Sequence, residues 1–454
     1  MTRSPLHSAS CPWFAAFCLT ATVYHLNLPA LGADLRAEVQ TRLGQEYSSL
    51  DSLYKHLHAH PELSLQEKET ARRIADELER AGLQVARGVG GNGVVGVLRN
   101  GAGPTILVRT DLDALPVKEQ TGLPYASKAQ AKNERGETVD VMHACGHDVH
   151  MTVFVGTARV LAHLKDQWQG TLVMLGQPAE ERGKGARSIL AAGLLTTFPK
   201  PNYCLALHAS ANLPAGTVGH VEGFALANVD SVNVTIRGVG GHGAWPHTTK
   251  DPVVLAAQII LALQTIVSRE TSPIEPAVVT VGSIHGGTKH NIIPDEVKLQ
   301  LTLRSYSDDV RKHTLQAIHR ITRGLAAAAG LPEDKYPSVA LEDEFTPATY
   351  NDPDLTRRVA SAIQSWLGED KVVPQKPVMG GEDFGEYGRT AEKIPICMFW
   401  LGTIAPEVYR DHQETGKALP SLHSAQFYPL PEPSIKTGVT AMTAAVLDLL
   451  KREP

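Results

Sequence analysis

Thr171-Leu172-Val173-Met174-Leu175 is an unbroken apolar run of strand length, closed by Gly176-Gln177-Pro178. Such a run, bounded by turn residues, reads as a strand buried on both faces, as in a parallel sheet. Its neighbours support this. Gly146-His147-Asp148 opens a helical stretch to about Lys165, Ala186 to Ala192 reads as a short helix, and Tyr203 to Leu207 as the next strand. Further upstream, Gly93 to Leu98 and Thr105 to Thr110 read as strands, and Asp34 to Leu57 as a helix. Glu67 to Ala81 is a second helix, with Ala71, Ile74, Ala75 and Leu78 on one face and Gly82 as its stop. Strands and helices alternating at this spacing predict an α/β fold with a mostly parallel, doubly wound sheet.

Near Val229 the pattern changes. Ser231 to Arg237 alternates as a half-buried strand, and Asp251-Pro252 opens a long helix to about Arg269. Strands over Ala277–Ile284 and Glu296–Tyr306, a helix over Ser307–Ala328 and a strand over Pro337–Glu342 complete a β-α-β-β-α-β unit of ferredoxin-like type. The last helix is expected over Ser434–Lys451. The chain therefore divides into an α/β domain in two parts, 34–228 and 346–454, interrupted by an inserted α+β domain, 229–345.

Composition narrows the functional classes. The 454 residues hold 43 Lys plus Arg against 48 Asp plus Glu, a net charge of −5, so there is no basic footprint and nucleic acid is excluded as a partner. Beyond the N-terminus no wholly apolar run reaches the roughly 18 residues of a bilayer span, so no membrane span is expected. Residues 1–33 read as a signal peptide: Arg3, an apolar stretch Trp13 to Tyr24, and small residues Ala30 and Gly32 before a cut. That implies a periplasmic or secreted protein, and a cytoplasmic one if the segment is not a leader. Cleavage would remove Cys11 and Cys18 and leave Cys145, Cys204 and Cys397, an odd number unsuited to a disulfide framework; Cys204 and Cys397 read as core thiols. Neither Gly88/Gly90/Gly93 nor Gly238/Gly240/Gly243 runs from a strand directly into a helix, so no dinucleotide fingerprint is present.

The chemistry concentrates in Met142-His143-Ala144-Cys145-Gly146-His147-Asp148-Val149-His150. A thiolate and an imidazole two residues apart at a helix start can converge on one metal, and His147 and His150 share a helix face. Asp111-Leu112-Asp113, Gln177-Pro178-Ala179-Glu180-Glu181 and His208 each follow an expected strand, at the edge where open α/β sheets gather their sites. Leu422-His423-Ser424 is a fourth candidate. One of two adjacent carboxylates can bind metal while the other takes a proton from metal-activated water. Cys145, His147, Glu181, His208 and His423 supply five ligands, enough for two ions.

Taken with Gly240-Gly241-His242-Gly243-Ala244-Trp245-Pro246-His247, His60-Pro61-Glu62-Leu63, Thr110 to Pro116 and Gly380-Gly381-Glu382-Asp383-Phe384, these segments resemble the aminoacylase/carboxypeptidase family of co-catalytic metallohydrolases. The likeness is greatest to its amidohydrolase branch of hippurate hydrolases, N-acyl-amino acid amidohydrolases and auxin–amino acid conjugate hydrolases. The resemblance implies that Cys145, His147, Glu181, His208 and His423 hold two divalent ions, manganese or zinc foremost, cobalt or nickel otherwise. It implies Glu180 as general base and His242 as a stabiliser of the oxyanion, often across a dimer interface. Asn291 and Arg304 match substrate-contacting positions, and Asp111 and Asp113 positions that orient the ligands. The implied activity is metal-dependent cleavage of the amide of a small N-acyl amino acid or conjugate, by a homodimer joined through the inserted lid domain. A carboxypeptidase or dipeptidase of the same family is the alternative, followed by a catalytically silent binding protein.

Overall fold

The computed structural model describes residues 31–343 and 345–451. Thr105–Asp111 lies at the centre of the larger sheet. It pairs in parallel with Gly170–Gln177 on one side and Tyr203–Pro214 on the other, and Tyr203–Pro214 pairs in parallel with Ile396–Ile404. Antiparallel Gly93–Asn100 and Gln84–Val89 extend one edge; the short strands Val218–His220 and Val372–Pro374 complete the eight at the other. The large, mostly parallel sheet expected from the sequence is present. The short edge strands escaped that reading because Gln84–Val89 has no buried residue to mark an apolar face and the other two have three residues each, too few for a period.

Alternation along the central strands feeds two cores. Ile106, Val108, Leu172 and Met174 pack with Leu50, Leu53, Phe154, Val439 and Met442 from the helices Leu31–Ala59, His147–His163 and Pro431–Leu449. Leu107, Val173, Leu175 and Ala206 face the opposite way, onto Ile189, Leu194, Phe384 and Tyr387. Each fully buried aliphatic side chain contributes about 1.5–3 kcal/mol, and covering both faces is what a parallel sheet requires. Cys204 belongs to one core and Cys397 to the other, both as free thiols. The expected leader, with Cys11 and Cys18, lies outside the described residues except for 31–33, which open the first helix.

A second, four-stranded antiparallel sheet runs in the order Ala277–Gly286, Glu296–Ser305, Asn228–Arg237, Ser338–Leu341. The helices Pro252–Thr265 and Asp308–Ala328 cover one face, burying Leu255, Ile259, Leu263 and Ile318 on Val232, Val234, Ile236, Leu299, Leu301 and Leu303. Asp251 and Ser307 cap these helices, accepting the amides of Val253 at 2.8 Å and Val310 at 3.1 Å. The stretch Pro252–Glu270 is long and apolar enough to cross a membrane, yet Leu255, Ile259, Leu263 and Ile266 are spent in this core. The residues of alternate register, Val229, Ser231, Thr302 and Arg304, line the cavity between the two sheets. Val229 and Thr346 exchange backbone hydrogen bonds of 2.8 and 3.1 Å, so the chain enters and leaves this unit side by side.

Candidate active site

Cys145 and His147 flank Gly146, which sits at φ +82°. A side chain there would be conformationally strained and would put its Cβ 2.9 Å from Ala209 Cβ, so only glycine lets the helix begin this close to the Tyr203–Pro214 strand. His147 Nδ1 lies 2.8 Å from the Asp113 carbonyl oxygen. A carbonyl only accepts, so Nδ1 bears a proton and Nε2 is the nitrogen that faces the site, free to coordinate once it gives up its own proton. His150, on the same helix face, differs. Its Nε2 accepts the Ala209 N–H at 2.7 Å and its Nδ1–H donates to Asp111 Oδ1 at 2.8 Å, leaving neither nitrogen for a metal. Burial lowers its pKa to about 4, so it stays neutral.

His208 was expected just past a strand ending at Leu207; the strand in fact runs on to Pro214. The reason is asymmetric pairing. Partnership with Thr105–Asp111 ends at Ala206, while that with Ile396–Ile404 continues through Trp400 opposite His208. His208 is thus inside its strand but beyond the end of the neighbouring one, and its Nε2 is 3.5 Å from Cys145 Sγ. The Glu180-Glu181 pair follows Ala179, held at φ +53°. Glu181 Oε1 stands 3.9 Å from His147 Nε2 and 3.5 Å from His423 Nε2, and Glu180 Oε2 is 4.0 Å from His147 Nε2. His423 is itself left-handed, at φ +64°, its N–H held by the Ala144 carbonyl at 2.8 Å.

These donors fit divalent metal. Two ligand atoms each about 2.0–2.3 Å from one ion stand roughly 3–4 Å apart, the spacing found here. Among the described residues, His147 Nε2 and Glu181 Oε1 are buried with no hydrogen-bond partner, a costly state without a cation to receive them. Cys145 groups with His147 and His208 on one side and with Glu181 and His423 on the other, so one thiolate adjoins two clusters. The electrostatics agree. Burial, then the charges of Glu181 and Glu180, push the Cys145 thiol well up. Burial, then Glu382, Glu181 and Asp383, raise Glu180 well above the usual carboxylate range. His147 is pushed up to about 10: burial alone lowers it, but Asp111, Asp113 and Glu181 overcome that.

Residues 107–424 match peptidase family M20/M25/M40. The chain belongs to that family. It is 35% identical over 390 residues to thermostable carboxypeptidase 1 of Saccharolobus solfataricus, covering 85% of this chain and 91% of that one. It is 36% identical over 366 residues to the N-acetylcysteine deacetylase of Bacillus subtilis, covering 80% and 90%. The crystal structure of the Bacillus subtilis YXEP protein, a dinuclear metal binding peptidase of the M20 family, superposes with a TM-score of 0.71 at 30% identity, over 91% of this chain and 99% of that one. This M20 chain is a metal-dependent hydrolase acting on amide bonds.

In the M20 chain the ligand cluster opens into a cavity of about 480 Å³, lined by Cys145, Glu180, Glu181, His208 and His423 below and by Val229, Ser231, Thr302 and Arg304 above. Arg304 therefore reaches the cavity, and burial lowers its pKa. His242 and Asn291 do not line it. Both are exposed: His242 packs against Trp245 at 5.0 Å between ring centroids, and the Asn291 carbonyl accepts the Gly243 N–H at 2.9 Å. Asp111 Oδ1 holds His150, which is not among the candidate ligands, while its Oδ2 stands 3.6 Å from His147 Nε2; the Asp113 carbonyl holds His147 Nδ1.

The sequence reading missed Arg109. Fully buried, it donates from Nε to Gln177 Oε1 at 3.1 Å, and from Nη1 and Nη2 to Asp111, Glu382 and Asp383, each at 2.9 Å. It joins two strand ends to the 380–384 segment behind Glu180. A lone arginine inside an otherwise apolar strand was the available signal, since a buried guanidinium demands acidic partners.

Proposed function

We propose that this M20 chain is an amidohydrolase that cleaves N-acyl amino acids or similar conjugates to a carboxylic acid and an amino acid. In this reading Cys145, His147, Glu181, His208 and His423 hold two divalent ions. A donor set mixing sulfur, nitrogen and oxygen suits manganese or zinc, with cobalt or nickel next. The observation that carries it is the pair of buried, partnerless atoms His147 Nε2 and Glu181 Oε1, 3.9 Å apart beside Glu180. Two ions held by these five residues would supply Lewis acidity and lower the pKa of a water. Glu180 takes a proton from the water whose oxygen bonds to the acyl carbon and delivers it to the amine nitrogen as the C–N bond breaks. Arg304, facing the cleft from the other sheet, pairs with the carboxylate of the amino-acid half.

The unit 229–345 acts as a ferredoxin-like lid over the cavity. His242 is assigned to the oxyanion, and Asn291 to substrate, from a second copy of the chain, because neither lines the cavity of its own. Exposed Val253, Val254 and Leu261 on the Pro252–Thr265 helix support a homodimer joined through this unit. The leader assigned to 1–33 belongs to the same reading, with export to the periplasm or medium, and the mature N-terminus tests it.

Amino-acid release is measured from acetyl, hippuryl, long-chain acyl, indoleacetyl and dipeptide substrates, with metal-stripped protein compared against protein reloaded with manganese, zinc or cobalt. Metal-restored release from an acyl substrate is expected. Preference for peptides instead selects the carboxypeptidase alternative, which the Saccharolobus relative favours. Glu180→Gln is expected to bind metal and lose at least about 10²-fold in kcat; wild-type turnover in that variant rejects the mechanism.

A further inference from the structure

We propose that Glu67, more than a hundred residues away in sequence, is a positioning residue for Glu180, gripping the left-handed turn that presents the Glu180-Glu181 pair to the cavity. Glu67 is fully buried at the start of the Lys68–Arg80 helix, yet its side chain makes no cap to that helix. Its Oε1 accepts the Ala179 N–H at 2.8 Å and the Leu65 N–H at 2.7 Å, and its Oε2 accepts Asn92 Nδ2 at 3.0 Å. Ala179 and Leu65 are two of only four non-glycine residues with positive φ among the described residues, at +53° and +69°. One carboxylate oxygen thus holds two backbone positions that residues with a Cβ adopt at a cost.

The turn is fixed from its other side as well. The Ala179 carbonyl accepts the amides of Lys184 and Gly185, both at 3.2 Å, and the Glu181 N–H donates to Asp113 Oδ2 at 3.0 Å. Buried carboxylates therefore hold the amide before Glu180 and the amide after it. The Asp113 carboxylate holds the backbone of the candidate ligand Glu181 itself and stands 3.6 Å from His147 Nδ1, so its loss would disturb the ligands directly. Glu67 has no hydrogen bond to any of the five candidate ligands, which makes its effect on the turn separable. Without it, the strain at Ala179 relaxes by rotating the peptide that leads into Glu180. A misplacement of about 1 Å at a proton-transferring group costs on the order of 10²-fold in rate.

The inference rests on Glu180 being the base, and the test separates the two. Glu67→Met keeps the volume and removes the acceptor; Glu67→Gln keeps an acceptor oxygen. In the metal-loaded enzyme Glu67→Met is expected to lose about 10²-fold in kcat with KM and bound metal nearly unchanged, while Glu67→Gln recovers most of the loss. In the protein without substrate, hydrogen exchange at the Ala179 amide is expected to be slow in wild type and Glu67→Gln and fast in Glu67→Met. Adding Ala179→Gly to Glu67→Met should recover part of kcat, because glycine takes positive φ freely. Wild-type kcat in Glu67→Met, equal losses in the Met and Gln variants, or a rapidly exchanging Ala179 amide in wild type would each overturn the proposal. The wild-type exchange measurement decides even if Glu67→Met does not fold. Activity retained in Glu180→Gln overturns the base assignment instead, whatever the exchange data show.

Discussion

His58 Nδ1 lies 2.7 Å from Asp148 Oδ2, tying the first long helix to the residue that follows His147. The other ring nitrogen, Nε2, is 3.0 Å from Glu119 Oε1, so a fully buried imidazole bridges two acids. Burial alone would lower its pKa, but the bonds to Asp148 and Glu119 raise it to about 9. Its stabilising effect is complete below the unfolded pKa of about 6.5. Between there and about pH 9 the unfolded chain has lost the proton and the folded one has kept it, so stability falls as pH rises. Urea unfolding of wild type and His58→Gln from pH 6 to 10 should show wild type's advantage shrinking by up to about 3 kcal/mol. An advantage constant across that range would reject the bridge as a charged one.

Metal loading should expel protons. Burial and the Glu181 and Glu180 charges keep the Cys145 thiol protonated, and His147, at about 10 despite burial, carries a proton near neutrality. Both must lose it to coordinate. Apparent metal affinity, measured against a chelator, should rise between pH 6 and 9 by up to about tenfold per pH unit for each proton displaced. Calorimetry in buffers of different ionisation enthalpy should count one proton fewer in Cys145→Ser, with weaker binding. A pH-independent affinity would contradict this.

Arg304 lines the cavity opposite the ligand cluster, and the charge of Asp230 only partly offsets the effect of burial on its guanidinium. Arg304→Met should raise KM for substrates with a free carboxylate by about 10- to 100-fold, the worth of a charge-assisted hydrogen bond. Substrates with that carboxylate amidated should barely distinguish the two enzymes. Equal effects on both would place Arg304 in the architecture of the cleft.

Arg109 is buried among Asp111, Glu382 and Asp383. Removing its charge leaves three acids uncompensated, so Arg109→Met should cost about 3–5 kcal/mol, read as a lowered Tm or urea midpoint. A loss under about 1 kcal/mol would mean the acids are neutralised by other means.

Much of the fold was legible in residue order, because apolar periodicity and turn residues act over a few positions. The central strands and the helices beginning near His147, Asp251 and Ser307 stand close to their expected bounds. Part of the candidate site was legible too, since Cys145 and His147 stand at the start of one helix and Glu181 lies just past the Gly170–Gln177 strand, where they come together. The length of the His208 strand was not, because pairing on one side alone carried it to Pro214.

By itself, then, the sequence determined the central strands and the long helices, and which residue types stand ready at the carboxyl edge of the sheet. Only the tertiary structure decided what each of them is free to do. His147 and His150 share a helix face, yet Asp113 leaves His147 a free nitrogen while Asp111 and Ala209 consume both of His150's. His242, one histidine among several in the chain, was left outside the cavity altogether. The reason is that a buried polar group must be satisfied wherever a partner lies, and the partners come from remote segments: Arg109 finds Glu382 at a separation of 273 residues. No local pattern can encode such a choice.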